Sequence, residues 1–316
     1  MISYALRYFF NQIRTSFLME RIDVTAVQNP ILDREPKISL RDPAVIYHKG
    51  VFHLYHTAVE HNWFKYILYL DVSYSRDLIN WTIPKRVIKS EAGYSSPGNG
   101  FQHEDNTYLT FQTYPVPRFR EFASSKARLW IMKAVSVEHD MWEQPYCIKP
   151  EGCMADWTRS RRQIDPYIIK HEDVYYCFYK TSGELGLLKS DDLKKWSEAS
   201  PDKPVLARGE LPIRAGIENP CIIKYDSEYW MYFSPTRKGR GIGLAKSTNL
   251  MDWYDIEILD FPDLDWAPGG PTAPFVLDLR KETGFWVMFY HGDRKRPHGA
   301  ALGIAWSKDL LRWSTN

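Results

Sequence analysis

The chain has 316 residues, of which 44% are hydrophobic and 25% charged, so it lies in the globular range and can bury a large core. A formal charge of +2 gives no electrostatic footprint for nucleic acid or an anionic membrane, and no stretch approaches the roughly 18 consecutive apolar residues of a membrane span. Cys147, Cys153, Cys177 and Cys221 show neither Cys-x-x-Cys spacing nor paired histidines, which argues against zinc and for reduced, buried thiols.

In chain order, Ile2, Leu6, Phe9, Phe10, Ile13 and Phe17 recur at helical spacing and predict an amphipathic helix over 3–19. Its apolar face is expected either to pack on the rest of the chain or to form a homodimer contact. Arg7, Asn11, Gln12 and Arg14 interrupt the apolar residues, unlike a secretory signal, so a cytoplasmic location is expected. The β-branched, partly alternating segment Arg21 to Val27 predicts a strand.

Beyond residue 37 the sequence repeats. Five segments, of which "SYSRDLINW" and "LLKSDDLKKW" are typical, close on Trp81, Trp142, Trp196, Trp253 and Trp313, 54 to 61 residues apart. Each unit carries a short apolar strand, a charged or Gly turn, an aromatic strand, a variable loop and a strand running into the Trp tail. Such a period, with 15% aromatic residues, predicts an all-β fold: a five-bladed β-propeller over 38–316, with 1–37 as a short N-terminal helical extension. Little sequence follows Trp313, so residues 21–27 are expected to complete blade 5 by pairing outside Leu302 to Ser307.

Carboxylates stand at equivalent places in three units. Arg41-Asp42-Pro43 precedes Ala44-Val45-Ile46, Ile164-Asp165-Pro166 precedes Tyr167-Ile168-Ile169, and Glu218-Asn219-Pro220 precedes Cys221-Ile222-Ile223. An Asp before Pro can merely start a turn. In a propeller, however, the first strand of every blade lines the axis, so these positions share one mouth. Blades 2 and 5 have Ser96-Pro97-Gly98-Asn99 and Thr272-Ala273-Pro274 there, so the acids are not a rule of the repeat. Two carboxyls across a sugar ring are the minimum equipment for glycoside hydrolysis, and a third can tune the proton affinity of the acid.

On these motifs the sequence resembles glycoside hydrolase family 43 and its five-bladed relatives, the group of families 43, 62, 32, 68 and 117, over roughly 38–313. The resemblance implies an inverting mechanism with Asp42 as general base, Asp165 as modulator and Glu218 as general acid. Asn219 stands where family 43 more often has Gly, and family 117 uses a histidine as the acid. The resemblance also places a blade 5 histidine near the axis, in some members holding calcium through water, and His291 matches it. The residues themselves suggest a buried histidine bonded to backbone, because no cluster of oxygen ligands accompanies it, and no cofactor is expected beyond that calcium. Arg237 and Arg294, in loops after second strands, are candidates to hold sugar hydroxyls. Trp63, Trp157 and Trp266 are candidate stacking platforms, Trp266 foremost because it leads into the inner strand of blade 5.

The expected function is therefore an exo-acting hydrolase of short oligosaccharides, arabinofuranosidase-like or xylosidase-like, with no nucleic-acid or membrane partner. Three readings stand beside it. A glycoside phosphorylase of a related propeller family needs only one acid, and a mouth rich in carboxylates would repel phosphate. An anhydro-galactosidase-type hydrolase would follow the family 117 pattern. A non-catalytic carbohydrate-binding propeller would bind sugar without turnover.

Overall fold

A computed structural model describes residues 21–34, 38–61, 66–88, 92–114, 126–236, 241–294 and 299–316. Five antiparallel sheets follow one another along the chain. Blade 1 is β1 (Ile38–His48), β2 (Val51–His61), β3 (Tyr66–Ser75) and β4 (Lys85–Arg86). Blade 2 splits its inner strand into β5 (Tyr94–Ser95) and β6 (Gly100–His103), followed by β7 (Asn106–Thr113), β8 (Arg128–Ser136), β9 (Met141–Trp142) and β10 (Tyr146–Cys147). Blade 3 is β11 (Ile164–His171), β12 (Val174–Thr181), β13 (Glu184–Ser190) and β14 (Ser197–Glu198), and blade 4 is β15 (Ile217–Tyr225), β16 (Glu228–Pro235), β17 (Gly243–Ser247) and β18 (Tyr254–Ile258). Blade 5 has three strands, β19 (Gly270–Leu279), β20 (Phe285–Asp293) and β21 (Ala300–Ser307). Inner strands of neighbouring blades touch, except that the inner strand of blade 3 meets blade 2 at β7 and β8, and β1 touches all three strands of blade 5, so the ring closes between first and last blades.

The Trp tails of blades 1, 3 and 4 are built alike. In blade 1 the Ser75 hydroxyl accepts from the Leu78 amide, Asp77 Oδ1 accepts from the amides of Ile79 and Asn80, and the Trp81 indole donates to the Leu78 carbonyl. Blade 3 repeats this with Asp192, Leu193 and Trp196, and blade 4 with Asn249, Leu250 and Trp253. Side-chain oxygens thus satisfy backbone donors that the left-handed Leu of each turn leaves unpaired.

Each inner strand is also interrupted in the same way. The ladder slips between Arg41 and Ala44, Ile164 and Tyr167, Glu218 and Cys221, and Thr272 and Phe275. In blade 2 the break falls between β5 and β6. At every break one residue has positive φ (Asp42, Ser96, Asp165, Asn219, Ala273), and a proline follows it. Proline has no N–H to lose from a ladder, which is why a bulge tolerates it inside a strand. Opposite each bulge lies a fully buried ring: His56, Phe111, Tyr179, Phe233 or Tyr290. Burial pushes His56 down to about 3, so that ring is neutral.

The N-terminal expectations are corrected in part. The helix over 3–19 lies outside the described residues, and no helix of the described residues exceeds three residues, so the helical extension has no support. Residues 21–27 are not a strand. Asp23 accepts from both the amide and the hydroxyl of Thr25 and starts a short 3-10 turn, Val24–Ala26, a local alternative to extended backbone. The outer edge of β21 is covered by three other devices. Ile31 and Leu32 pair with Leu302, the Asn29 side chain bonds both backbone groups of Ile304, and Ser314 pairs with Trp306. No helix among the described residues is long and apolar enough to cross a membrane.

Candidate active site

The five bulges turn five backbone amides out of their own ladders. Four of them donate to a side chain on the second strand of the preceding blade. Ser96 N–H donates to Thr57 Oγ1 (2.7 Å), Asp165 N–H to Gln112 Oε1 (2.6 Å), Ala273 N–H to Ser234 Oγ (2.6 Å) and Asp42 N–H to His291 Nδ1 (3.0 Å). These acceptors occupy one register position, opposite the residue before the bulge. Blade 3 places Lys180 there, and an ammonium cannot accept. The Asn219 amide is directed instead to Asp165 Oδ2 at 3.4 Å, and the Lys180 ammonium donates to Glu218 Oε2.

The same bulges gather the three acids. Asp42 and Asp165 are the left-handed bulge residues of their blades, while Glu218 is the residue before the bulge of blade 4. The acids therefore lie within the inner strands, at their breaks, rather than ahead of them. Asp42 Oδ2 accepts from the hydroxyls of Thr57 and Ser96, each at 2.9 Å. Thr57 Oγ1 accepts from Ser96 N–H while donating to Asp42, using both capacities of one hydroxyl. Asp165 is buried, and burial raises its carboxyl to about 7. Lys180 and Arg162 oppose that rise, whereas Glu218 and Asp42 add to it. Glu218 remains partly open at 23% side-chain exposure, and its partner Lys180 at 12%.

Arg41 and Asp293 complete the mouth. Arg41 donates to Asp293 Oδ1 at 3.0 Å, and although burial lowers its proton affinity, the fields of Asp293, Asp42 and Glu218 outweigh this and raise it. His291 is buried and receives the Asp42 amide on Nδ1, which assigns its proton to Nε2, 3.8 Å from Asp293 Oδ1. Among the described residues no three His, Cys, Asp or Glu side chains are arranged to hold a metal ion.

Other predicted wall residues are placed elsewhere. Trp266 stacks on Tyr290 with centroids 6.0 Å apart, and its ring covers Gly292 and Gly303, where an added Cβ would meet it at 2.4 and 2.8 Å. That is the face of blade 5 opposite His291, so the indole is engaged in packing and is not brought to the carboxylates. The Trp157 indole donates to the Ser200 carbonyl at 2.9 Å, which pins its loop to the outer part of blade 3. Arg294 is held by Asp33 of the N-terminal segment. Trp63 and Arg237 lie outside the described residues. The sequence reading missed Thr57, Ser96, Gln112, Lys180 and Asp293 as members of the site. A signal for the ring position was present, because each of the five buried rings is followed directly by its polar residue: His56-Thr57, Phe111-Gln112, Tyr179-Lys180, Phe233-Ser234 and Tyr290-His291.

No known family model and no curated protein matches the sequence. Solved structures are similar in fold. A thermostable family-43 glycoside hydrolase matches with 17% identity and TM-score 0.62, over 92% of this chain and 96% of its own. An exo-1,5-α-L-arabinanase from a bovine ruminal metagenomic library matches with 17% identity and TM-score 0.63, over 89% and 97%. An endo-arabinanase from Bacillus licheniformis matches with 16% identity and TM-score 0.63, over 89% and 99%. The chain thus shares the five-bladed β-propeller of the family 43 glycoside hydrolase structures.

Proposed function

We propose that the protein is an inverting, exo-acting glycoside hydrolase of short oligosaccharides with terminal arabinofuranosyl or xylosyl residues. One observation carries the reading: Asp42, Asp165 and Glu218 converge from three blades, each in a different electrostatic setting. Asp42, with Oδ2 held by two hydroxyls, presents Oδ1 to take a proton from water as that water attacks the anomeric carbon. Glu218, the more exposed acid, gives a proton to the departing glycosidic oxygen as the C–O bond breaks. Asp165 is the least hydrated of the three and tunes Glu218 through the Asn219 backbone between them. Four unpaired cysteines suit a reducing cytoplasm, where small imported oligosaccharides are the accessible substrates.

The test is a screen of the purified chain against aryl glycosides and against arabino- and xylo-oligosaccharides, with and without phosphate. Proton NMR of the first product identifies its anomer. Release of single sugars with inverted configuration, independent of phosphate, is the expected result. Release that requires phosphate would make the enzyme a phosphorylase, and binding without turnover would make it a lectin-like propeller.

A further inference from the structure

We propose that Lys180 is a positioning residue: blade 3 carries a cation where the other four blades carry a hydrogen-bond acceptor, and this exchange aims the Glu218 carboxyl at the substrate. The catalytic part rests on reading Glu218 as the acid. The fold itself does not call for a lysine at this position. Thr57, Gln112, Ser234 and His291 all accept the amide of the next bulge, at 2.6 to 3.0 Å. Lys180 gives up that bond and leaves the Asn219 amide a 3.4 Å contact with Asp165, long for a backbone donor. A nearly buried ammonium also loses hydration, which only a close anion offsets. The symmetric scaffold is thus broken at one place in five, and that place lies between two of the three carboxylates. Departure from a structural rule at the site marks function rather than folding.

The chemistry follows from the pairing. A glutamate carboxyl has three side-chain torsions to fix, and a bond from Lys180 to Oε2 fixes them. When Glu218 passes its proton to the glycosidic oxygen, the negative charge left on its carboxylate forms against the ammonium already in place. The groups that face Asp165 are Lys180 from β12, Glu218 from β15, Asp42 from β1 and Arg162 just before β11, so loss of Lys180 also removes one of the two cations that hold the Asp165 carboxyl down.

The variants are Lys180→Gln, Lys180→Met and Lys180→Arg in the full chain. Gln restores an acceptor of the kind Gln112 supplies in blade 2, so K180Q is expected to melt no lower than wild type. Its kcat/KM on the best aryl glycoside is expected to fall by about tenfold or more, chiefly in kcat, with K180R at least about fivefold above K180M. Carbon-13 NMR of the Asp165 carboxyl, which needs no turnover, is expected to show its midpoint about half a unit or more higher in K180Q. A K180Q enzyme within about twofold of wild type, or an unchanged Asp165 midpoint, overturns the proposal. If K180Q does not fold, equal activities of K180R and K180M overturn it instead. A wild-type chain that turns over no glycoside refutes the hydrolase reading, while the Asp165 titration still decides whether Lys180 governs the electrostatics of the site.

Discussion

The backbone N–H of Asp42 donates to Nδ1 of His291, 3.0 Å away, and so joins the first blade to the last. One bond serves two ends: it fastens the ring where the chain closes on itself, and it fixes the backbone from which the Asp42 carboxyl projects. His291→Ala leaves a partly buried amide without its acceptor, at an expected cost of about 1–3 kcal/mol. On the proposed role of Asp42, activity should fall with it, by about tenfold or more, because misplacing a catalytic group by a fraction of an ångström is expensive. His291→Gln supplies an acceptor as Gln112 does and should recover most of the stability. Urea unfolding of the three proteins checks this, and equal stability of H291A and wild type would contradict it.

On the proposed roles of Asp42 as base and Glu218 as acid, Asp42→Asn and Glu218→Gln should each lower turnover by at least about a hundredfold, the scale of general acid–base effects. They should differ in their response to the leaving group. With a dinitrophenyl glycoside the departing oxygen needs no proton, so E218Q should regain much of its rate while D42N, lacking the base, should not. Parallel behaviour of the two variants would contradict the division of roles.

How far the sequence discloses this site depends on whether a feature is local. Trp81, Trp196 and Trp253 with their Ser-x-Asp/Asn-Leu turns are local, and they disclosed the blade count. Asp42, Asp165 and Glu218 before their prolines are also local, and repeat position alone places them at one mouth. The pairing of Lys180 with Glu218 is not local, because it joins the second strand of one blade to the first strand of the next and depends on a bulge in each. Trp266 misled for a related reason. Its partners Tyr290, Gly292 and Gly303 meet it only in the folded blade, and two of them are glycines, which give no apolar signal in the sequence.

The carboxyl of Asp165, raised by burial to about 7 in the folded protein, titrates near 3.9 when unfolded. Between those values the folded state binds a proton that the unfolded state does not, so this residue makes stability fall as pH rises from about 4 to about 7. Asp165→Asn keeps an acceptor for the Asn219 amide and has no proton to lose. The variant should therefore gain on wild type by about 1 kcal/mol or more between pH 5 and pH 8. Denaturant unfolding at both values checks it, and a constant difference would place the Asp165 titration elsewhere.

Strand β21 forms the outer edge of blade 5. A terminal strand exposes its backbone groups at every second residue, and here those residues include Leu302, Ile304 and Trp306 in turn. Backbone pairing with Leu32 and with Ser314 covers the first and third, but among the described residues Ile304 has no strand beside it. The Asn29 side chain takes that place: Nδ2 donates to the Ile304 carbonyl and Oδ1 accepts from its amide, both at 2.8 Å. A side-chain amide has the same donor and acceptor as a peptide, so one asparagine stands in for one residue of the missing strand. Asn29→Ala leaves both groups of fully buried Ile304 unpaired, with an expected loss of about 1–3 kcal/mol. Asn29→Asp keeps the acceptor and loses the donor, so it should fall between the two. Because the unpaired edge can template another chain, N29A should also aggregate faster than wild type near its melting temperature. Thermal unfolding followed by light scattering reads both effects, and an N29A protein that melts and scatters like wild type would show that the edge needs no such cover.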